Sequence, residues 1–263
     1  MGKFKLTDIR QHCFDLSRFF FQQHISELDI FCSKNISFWL HLASGVGNVS
    51  FNVENLNHSN EEVEALYRPL YEEERMTISG VLTSTTRFNH IWVGSELLMD
   101  SMLPKTHSGE KNKINKFCGQ LKNLYEPERN LILYNTQLKN LRKNLRQTSL
   151  FRNKRLPNPA WRNDHAIGKS ACGLSLVNKI RPYFAFGAFQ VPIATKGFGE
   201  KPLNPIIIEL SSRIVLLTLQ MFLLIYYKNS LEKIDCWWFK REHRRKMYVQ
   251  TFLRVVHLNL SPY

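Results

Sequence analysis

The sequence predicts a helix-rich α+β fold, built from a small mixed N-terminal unit, a basic helical middle, and a C-terminal hydrophobic helix with a basic amphipathic tail. Three observations lead to this prediction. Apolar residues recur at helical spacing in several segments, one segment is rich in β-branched residues, and one run near the C-terminus is almost continuously apolar. With 263 residues, the chain has enough apolar side chains to bury a sizeable core.

Residues 1–100 are predicted to form an acidic-leaning α+β unit. Its first element, residues 6–21, is expected to be a core-docking helix because apolar side chains recur there at three- and four-residue steps. Those side chains are Leu6, Ile9, Cys13, Leu16 and Phe20. Residues 29–53 are predicted to be irregular to strand-like, with a turn at the Gly45–Gly47 sequence.

The same unit is predicted to contain a short helix and two strands. A helix is expected over about 60–68. Pro69, which follows it, is expected to disturb the helix because proline lacks the amide hydrogen that a helix interior needs. Residues 76–93 are rich in Thr, Ile and Val around a polar break, and this composition favours two strands.

Residues 101–163 are predicted to form a basic helical segment. Ile114, Phe117, Leu121 and Leu124 form one apolar row at helical spacing. A second row follows Pro127 and consists of Leu131, Tyr134, Leu138, Leu141 and Leu145. Its heptad-like spacing is too short for a coiled coil, which favours a packed helix over a dimer zipper.

Positive charge is concentrated in the back of the chain. Residues 1–100 carry a net charge of −5 and residues 101–263 one of +19, and no acidic residue lies between Glu128 and Asp164. Such a surface attracts the phosphates of nucleic acid or an anionic membrane. The candidate phosphate contacts are Arg142, Lys143, Arg146, Arg152, Lys154 and Arg155. The two basic clusters of 142–155 also resemble a bipartite nuclear-import signal.

Residues 164–263 are predicted to form a C-terminal region around an apolar helix at 206–227. Asn204 is a suitable cap and Pro205 a suitable first helical residue. A helix of this length is long enough to cross a bilayer, and its mean hydropathy is typical of membrane spans. Glu209 and Arg213 interrupt its first turns, and the uninterrupted run 214–227 is short, so a buried core helix is the alternative.

The tail that follows is predicted to bind a membrane interface or another anionic surface. Aromatic rings suit the interface and basic side chains suit headgroup phosphates. The candidate residues are Tyr226, Tyr227, Lys228, Trp237, Trp238, Lys240, Arg241, Arg244, Arg245 and Lys246. If 206–227 spans a bilayer, the cluster at 237–239 lies too far along the chain to belong to its aromatic belt.

Several partial motifs are too incomplete to predict chemistry. The sequence NDHAIGKS at 163–170 ends like a phosphate-binding loop but lacks the leading glycine, because Asn163 stands in that place. Cys118 has no partner at zinc-site spacing, and the five cysteines are dispersed in a pattern typical of reduced intracellular thiols. We therefore predict no enzyme activity, no metal and no cofactor, and the sequence identifies no small-molecule substrate.

Two functional hypotheses follow from these observations. The first is a non-enzymatic protein of an intracellular membrane, anchored by the helix near 206–227 with its cationic tail on an anionic lipid surface. The alternative is a soluble, basic nucleic-acid-binding protein of the nucleus, which would use residues 129–163 and 240–246 to contact phosphates. The sequence leaves the membrane orientation and the oligomeric state open.

Overall fold

The computed structural model describes residues 4–22, 30–50, 61–103, 110–124, 131–146, 148, 170–185, 205–235 and 246–259. The described part contains eight helices and one two-stranded sheet. The helices are α1 (Ile9–Gln22), α2 (Ile30–Gly45), α3 (Glu61–Met102), α4 (Glu110–Leu124), α5 (Tyr134–Leu145), α6 (Cys172–Ala185), α7 (Pro205–Tyr226) and α8 (Val249–Val255). The strands are β1 (Lys233–Asp235) and β2 (Lys246–Tyr248).

The hydrophobic helix α7 lies at the centre of the fold. It packs against α1, α3, α4, α5, α6 and α8, and almost every residue from Ile207 to Leu224 is buried. Phe222 stacks on Phe117 of α4 with ring centroids 4.2 Å apart. Burial of apolar surface at about 25 cal/mol per Å² is the main force that holds such a core together. Buried residues from all eight helices belong to one cluster around α7.

Helices α1 and α2 form an antiparallel hairpin, and α2 packs on α3. Their close approach is fixed by hydroxyl groups, because Ser33 and Ser37 of α2 donate to the Phe20 and Ser17 carbonyls of α1 at 2.6 and 2.8 Å. The core-docking helix predicted at 6–21 is therefore confirmed as α1. The prediction that 29–53 is irregular to strand-like is wrong, since α2 occupies 30–45 and only the described residues that follow it are irregular.

The two strands predicted at 76–93 are also wrong, because this segment lies inside α3. The buried side chains Ser84, Phe88, Ile91, Ser95 and Leu98 repeat every three to four residues and face the core. Their burial outweighs the modest helix-opposing propensity of Thr, Ile and Val. Helix α3 also continues through Pro69, where a disturbed helix was predicted.

The small sheet lies near the C-terminus. Strands β1 and β2 are antiparallel, with Lys233 opposite Tyr248 and Asp235 opposite Lys246. The N-terminal segment joins this end of the chain, because Thr7 donates to the His257 carbonyl at 3.0 Å and Asn259 to the Lys5 carbonyl at 2.9 Å. A helix-rich fold with a minor β component is confirmed. The division at residues 100 and 163 stays a prediction.

An ion pair joins α3 to α6 at the edge of the core. Arg181 and the indole Nε1 of Trp92 both donate to Oε1 of Glu96, each at 2.6 Å. The Arg181 guanidinium also lies over the Trp92 ring, 4.6 Å from its centroid. Cation–π contact and a shared carboxylate acceptor make this pair geometrically specific. It orients α6, which carries the residues that fix α5.

Candidate anion-binding surface

A chain of buried polar side chains crosses the core between α1, α7 and α8. Arg213 of α7 donates to Nδ1 of His12 at 2.9 Å, and Nε2 of His12 lies 2.6 Å from Oε1 of Gln220. The Gln220 amide nitrogen donates to the Leu253 carbonyl at 2.7 Å and lies 3.2 Å from Nδ1 of His257. His257 Nε2 lies 3.0 Å from the Ile132 carbonyl, just before α5.

The partners determine the tautomer of both histidines. A guanidinium only donates, so Nδ1 of His12 accepts and its Nε2–H donates to Gln220. A carbonyl only accepts, so Nε2–H of His257 donates to Ile132 and its Nδ1 accepts from Gln220. The chain is therefore consistent throughout with two neutral imidazoles.

Burial keeps these histidines uncharged. Burial, assisted by the positive charge of Arg213, holds the pKa of His12 well below its ordinary value of 6.5, and repulsion between the two imidazoles when both are protonated acts in the same direction. Burial also lowers the pKa of His257 to about 4, although its bond to the Ile132 carbonyl acts in the opposite direction. Asp8 and Glu209 are the acidic neighbours of Arg213. The network is structural, because both imidazoles are inaccessible to solvent.

Helix α5 is anchored to this core at its first turn. Leu133, which precedes the helix, has a φ of 69°, a left-handed conformation that is rare for a residue with a branched side chain. The Tyr134 hydroxyl donates to the Ser170 carbonyl at 3.1 Å and accepts from the Gly173 amide at 3.1 Å. A β-carbon at Gly173 would overlap that hydroxyl and lie 2.8 Å from Ile214, so α6 approaches α5 and α7 as only glycine permits.

One face of α5 is buried and the opposite face is cationic. Tyr134, Leu138, Leu141 and Leu145 are buried, as the second apolar row predicts. Lys139 and Lys143 are exposed on the other side, together with Arg146, the residue that caps α5 at its C-terminus, and Arg142 is half-buried beside them. No residue of α5 is acidic. At 1.5 Å per residue, Lys139 and Arg146 are about 10 Å apart along the axis.

This face favours an anionic ligand by charge and by rigidity. Two of its cations, Arg142 and Lys143, lie in the last turn of α5, where they also complement the negative end of the helix dipole. The helix beneath them is fixed at its N-terminus, so few backbone degrees of freedom are lost when a ligand binds. The surface suits repeated phosphates better than a single small anion because its charges are spread along the helix.

The structure places the predicted phosphate contacts only in part. Arg142, Lys143 and Arg146 come together on α5, while Arg152, Lys154 and Arg155 lie outside the described residues. Of the predicted membrane-interface residues, Tyr226 is half-buried, Lys228 is exposed and Lys246 is exposed on β2. The remaining ones, from Trp237 to Arg245, lie outside the described residues. Their roles stay predictions.

Tyr227 is packed inside the protein. It is 2% exposed, and its ring meets Phe19 of α1 edge-on with centroids 5.8 Å apart. Phe19 in turn stacks on Phe252 of α8 at 5.7 Å. Tyr227, which follows the last residue of α7, therefore contributes to the core contact between α1 and α8. In this fold Tyr227 faces protein.

In comparisons with protein-family models, curated proteins and solved structures, no match to this chain was found. Its function is therefore inferred from its own residues.

The histidine, cysteine and acidic side chains of the described residues are dispersed. The described residues contain no group of three or more His, Cys, Asp or Glu side chains that could hold a metal ion. Burial raises the pKa of the Cys13 and Cys118 thiols to about 12 each, so neither is a ready nucleophile at neutral pH.

Sequence reasoning missed a second cationic surface, on the outside of the α1–α2 hairpin. Arg10, Phe14, Arg18 and Phe21 follow one face of α1 at steps of four, four and three residues. The signal was present in the sequence, opposite the apolar stripe that predicted α1. It was hidden by the net negative charge of residues 1–100.

Proposed function

We propose that the protein is a non-enzymatic nucleic-acid-binding protein that contacts the phosphate backbone through the cationic face of α5. The carrying observation is the alignment of Lys139, Lys143 and Arg146 on the exposed side of a helix without acidic residues. Neutralisation of phosphates by such side chains releases condensed counterions, which is the main source of sequence-independent affinity.

The environment of α7 supports this proposal over a lipid partner. A bilayer-spanning helix would expose its apolar side chains to lipid, whereas the apolar side chains of α7 are buried against six helices. Its polar residues Arg213 and Gln220 are hydrogen-bonded to groups of α1, α8 and the N-terminal segment. Both features are typical of the core helix of a globular protein.

Neutralising the α5 face is expected to weaken binding to a random-sequence DNA duplex by about tenfold or more at low salt. The variant is Lys139→Gln, Lys143→Gln and Arg146→Gln, three exposed positions whose change removes charge without removing core contacts. Each lost phosphate contact lowers the slope of log affinity against log salt by about 0.9, so the slope is expected to fall by about 2 to 3. Fluorescence anisotropy across a salt series measures both quantities.

The matched control removes the same number of exposed cations elsewhere. Lys179→Gln, Lys228→Gln and Arg254→Gln are exposed positions on α6, after α7 and on α8. This variant has the same net charge as the α5 variant, and it is expected to keep the wild-type salt slope. Equal losses in both variants would show that only total charge matters, and the α5 assignment would be abandoned.

Membrane association through α7 is the second candidate function. The observation that favours it is that α7 is the one helix in the described part long and apolar enough to cross a membrane, with 22 residues and a mean hydropathy of 1.8. Lys228 follows it at the position of a headgroup-facing cation.

Alkaline carbonate extraction of membranes from expressing cells separates the two candidates. Under the nucleic-acid proposal the tagged protein is expected in the supernatant, because α7 remains within the protein core. The controls are a tagged integral membrane protein, which stays in the pellet, and a tagged soluble protein, which does not. If this protein stays in the pellet with the integral control, the result supports membrane anchoring and refutes the nucleic-acid proposal.

A further inference from the structure

The outer face of the α1–α2 hairpin carries alternating cationic and aromatic side chains. On α1, Arg10 is exposed, Phe14 and Arg18 are half-buried, and Phe21 is 69% exposed. The steps between them place all four within a narrow stripe, because 3.6 residues complete a helical turn. The opposite face of α1 packs into the core.

Helix α2 extends the same surface. Lys34 and His41 are exposed and Phe38 is 55% exposed, and these three side chains share one face of α2. The two stripes meet where Phe14 and His41 lie side by side, with ring centroids 6.1 Å apart. The Arg18 guanidinium lies 5.7 Å from the centroid of the Phe14 ring. Cation and ring thus form one continuous surface across both helices.

Among the described residues of α1 and α2, no carboxylate is exposed on this surface. Asp15, the acidic residue of α1, is buried, and α2 has no acidic residue. Asp8 lies before α1 and accepts from the Arg10 amide at 2.8 Å, while Glu27 and Asp29 belong to the connection at 23–29, outside the described residues. The charged side chains that α1 and α2 present on this face are therefore basic, although residues 1–100 as a whole are net negative.

We propose that this hairpin face binds single-stranded nucleic acid, with bases stacking on Phe21 and Phe38 and phosphates contacting Arg18 and Lys34. The inference rests on the proposed function, since it adds a single-strand subsite to the phosphate-binding face of α5. Aromatic platforms interleaved with cations are how proteins hold unpaired bases and their backbone together. A duplex has no unstacked bases to offer, so these phenylalanines distinguish single strands from duplexes.

The arrangement of the charges favours nucleic acid over a lipid surface. A helix that lies in a membrane interface separates its apolar and charged residues onto opposite faces. Here Arg10, Phe14, Arg18 and Phe21 alternate within one stripe, so burying the rings in acyl chains would also bury the cations at a cost. Unpaired nucleic acid can contact both kinds of side chain at once, because its bases stack on the rings while its phosphates contact the neighbouring cations.

The test measures binding of a single-stranded oligonucleotide and of the matching duplex to the full-length protein. The double variant Phe21→Ala/Phe38→Ala is expected to bind the single strand at least about tenfold more weakly, since stacking on an aromatic ring contributes about 1 to 3 kcal/mol per base. Duplex affinity is expected to stay within about twofold of wild type, because phosphate contacts on α5 are unchanged. The matched control is Met76→Ala/Leu231→Ala, which truncates two apolar side chains that are 76% and 84% exposed.

The outcomes separate this inference from the proposed function. If the phenylalanine variant keeps its single-strand affinity while the α5 variant loses duplex binding, the hairpin subsite is refuted and the α5 proposal stands. If the phenylalanine variant loses single-strand binding while the α5 variant binds duplex as wild type does, the hairpin subsite is supported and the α5 proposal is refuted. Wild-type protein that binds vesicles of anionic phospholipid through these phenylalanines, and no oligonucleotide, would refute both.

Discussion

Replacing Gln220 with leucine is expected to lower the free energy of unfolding by at least about 3 kcal/mol. The substitution nearly preserves volume but removes the partner of three buried groups, namely the Nε2–H of His12, the Nδ1 of His257 and the Leu253 carbonyl. Each buried polar group left without a hydrogen bond costs about 1 to 3 kcal/mol. Urea titration near neutral pH, followed by circular dichroism, measures the change.

The control for this prediction is Ser211→Ala, on the same helix. Ser211 is as deeply buried as Gln220, but its hydroxyl donates to the Ile207 carbonyl one turn earlier, within α7 itself. Removal of that hydroxyl leaves no group from another element unpaired, so a loss of about 1 kcal/mol or less is expected. A Gln220→Leu protein as stable as the Ser211→Ala protein would mean that the network contributes little to the fold.

Acidification from about pH 6.5 to pH 5 is expected to cost the protein roughly 3 kcal/mol of stability. Both His12 and His257 have pKa values below 6.5 in the folded protein, for the reason that burial disfavours the charged imidazole. The unfolded chain therefore binds more protons in this window, and stability falls as pH falls. Each histidine contributes a slope that approaches about 1.4 kcal/mol per pH unit where the unfolded imidazole is protonated and the folded one is neutral, and about half of that at pH 6.5.

The groups that face these histidines explain why an added proton would find no hydrogen-bond acceptor in the folded protein. A proton added to Nδ1 of His12 would point at the Arg213 guanidinium, and one added to Nδ1 of His257 would point at the Gln220 amide hydrogens. Asp8 and Glu209 act on Arg213 and offer no direct acceptor to either ring in the described hydrogen bonds.

Urea titrations at a series of pH values measure the slope. His257→Asn is expected to reduce it by about half relative to wild type, and Ser211→Ala, which removes no titratable group, to leave it unchanged. Stability that is constant over this pH range in the wild-type protein would contradict the prediction.

Local sequence signals correctly predicted the helices in which the spacing of apolar residues agrees with burial in the folded protein. Helix α7 begins at Pro205 as predicted, because proline at a first helical position needs no amide donor. Helix α5 buries the predicted row from Tyr134 to Leu145, since its apolar and basic residues fall on opposite faces. In both cases propensity and burial favour the same structure.

The failures at α2 and α3 arise where local propensity and tertiary packing disagree. The segment of α3 after Met76 is rich in Thr, Ile and Ser, and these residues favour strands or turns by themselves. Several of them sit at core positions, where Ser95 satisfies its hydroxyl through the Ile91 carbonyl one turn back. Helical spacing of the buried residues was the better predictor, but short polar residues in those positions obscured it.

The polar network could not be predicted from sequence spacing. His12 is 201 residues from Arg213 and 208 from Gln220, and only the tertiary fold brings them together. The cationic face of α5 was predictable because its members are neighbours along one helix. The part of the hairpin face that lies on α1 could have been predicted, because that helix was predicted. The part on α2 could not, because Lys34, Phe38 and His41 share a face only if their segment is helical, and a helix was not predicted there.

The central position of α7 has a consequence for how the chain matures on the ribosome. Five of the helices that pack against it precede residue 205, so the parts of their surfaces that contact α7 stay uncovered by it until α7 is synthesised. At about 5 to 20 residues per second, α1 waits roughly 10 to 40 s for α7 to be synthesised. A chain that stops before residue 205 therefore leaves the apolar surface that α7 covers on those five helices exposed, and such surface promotes aggregation.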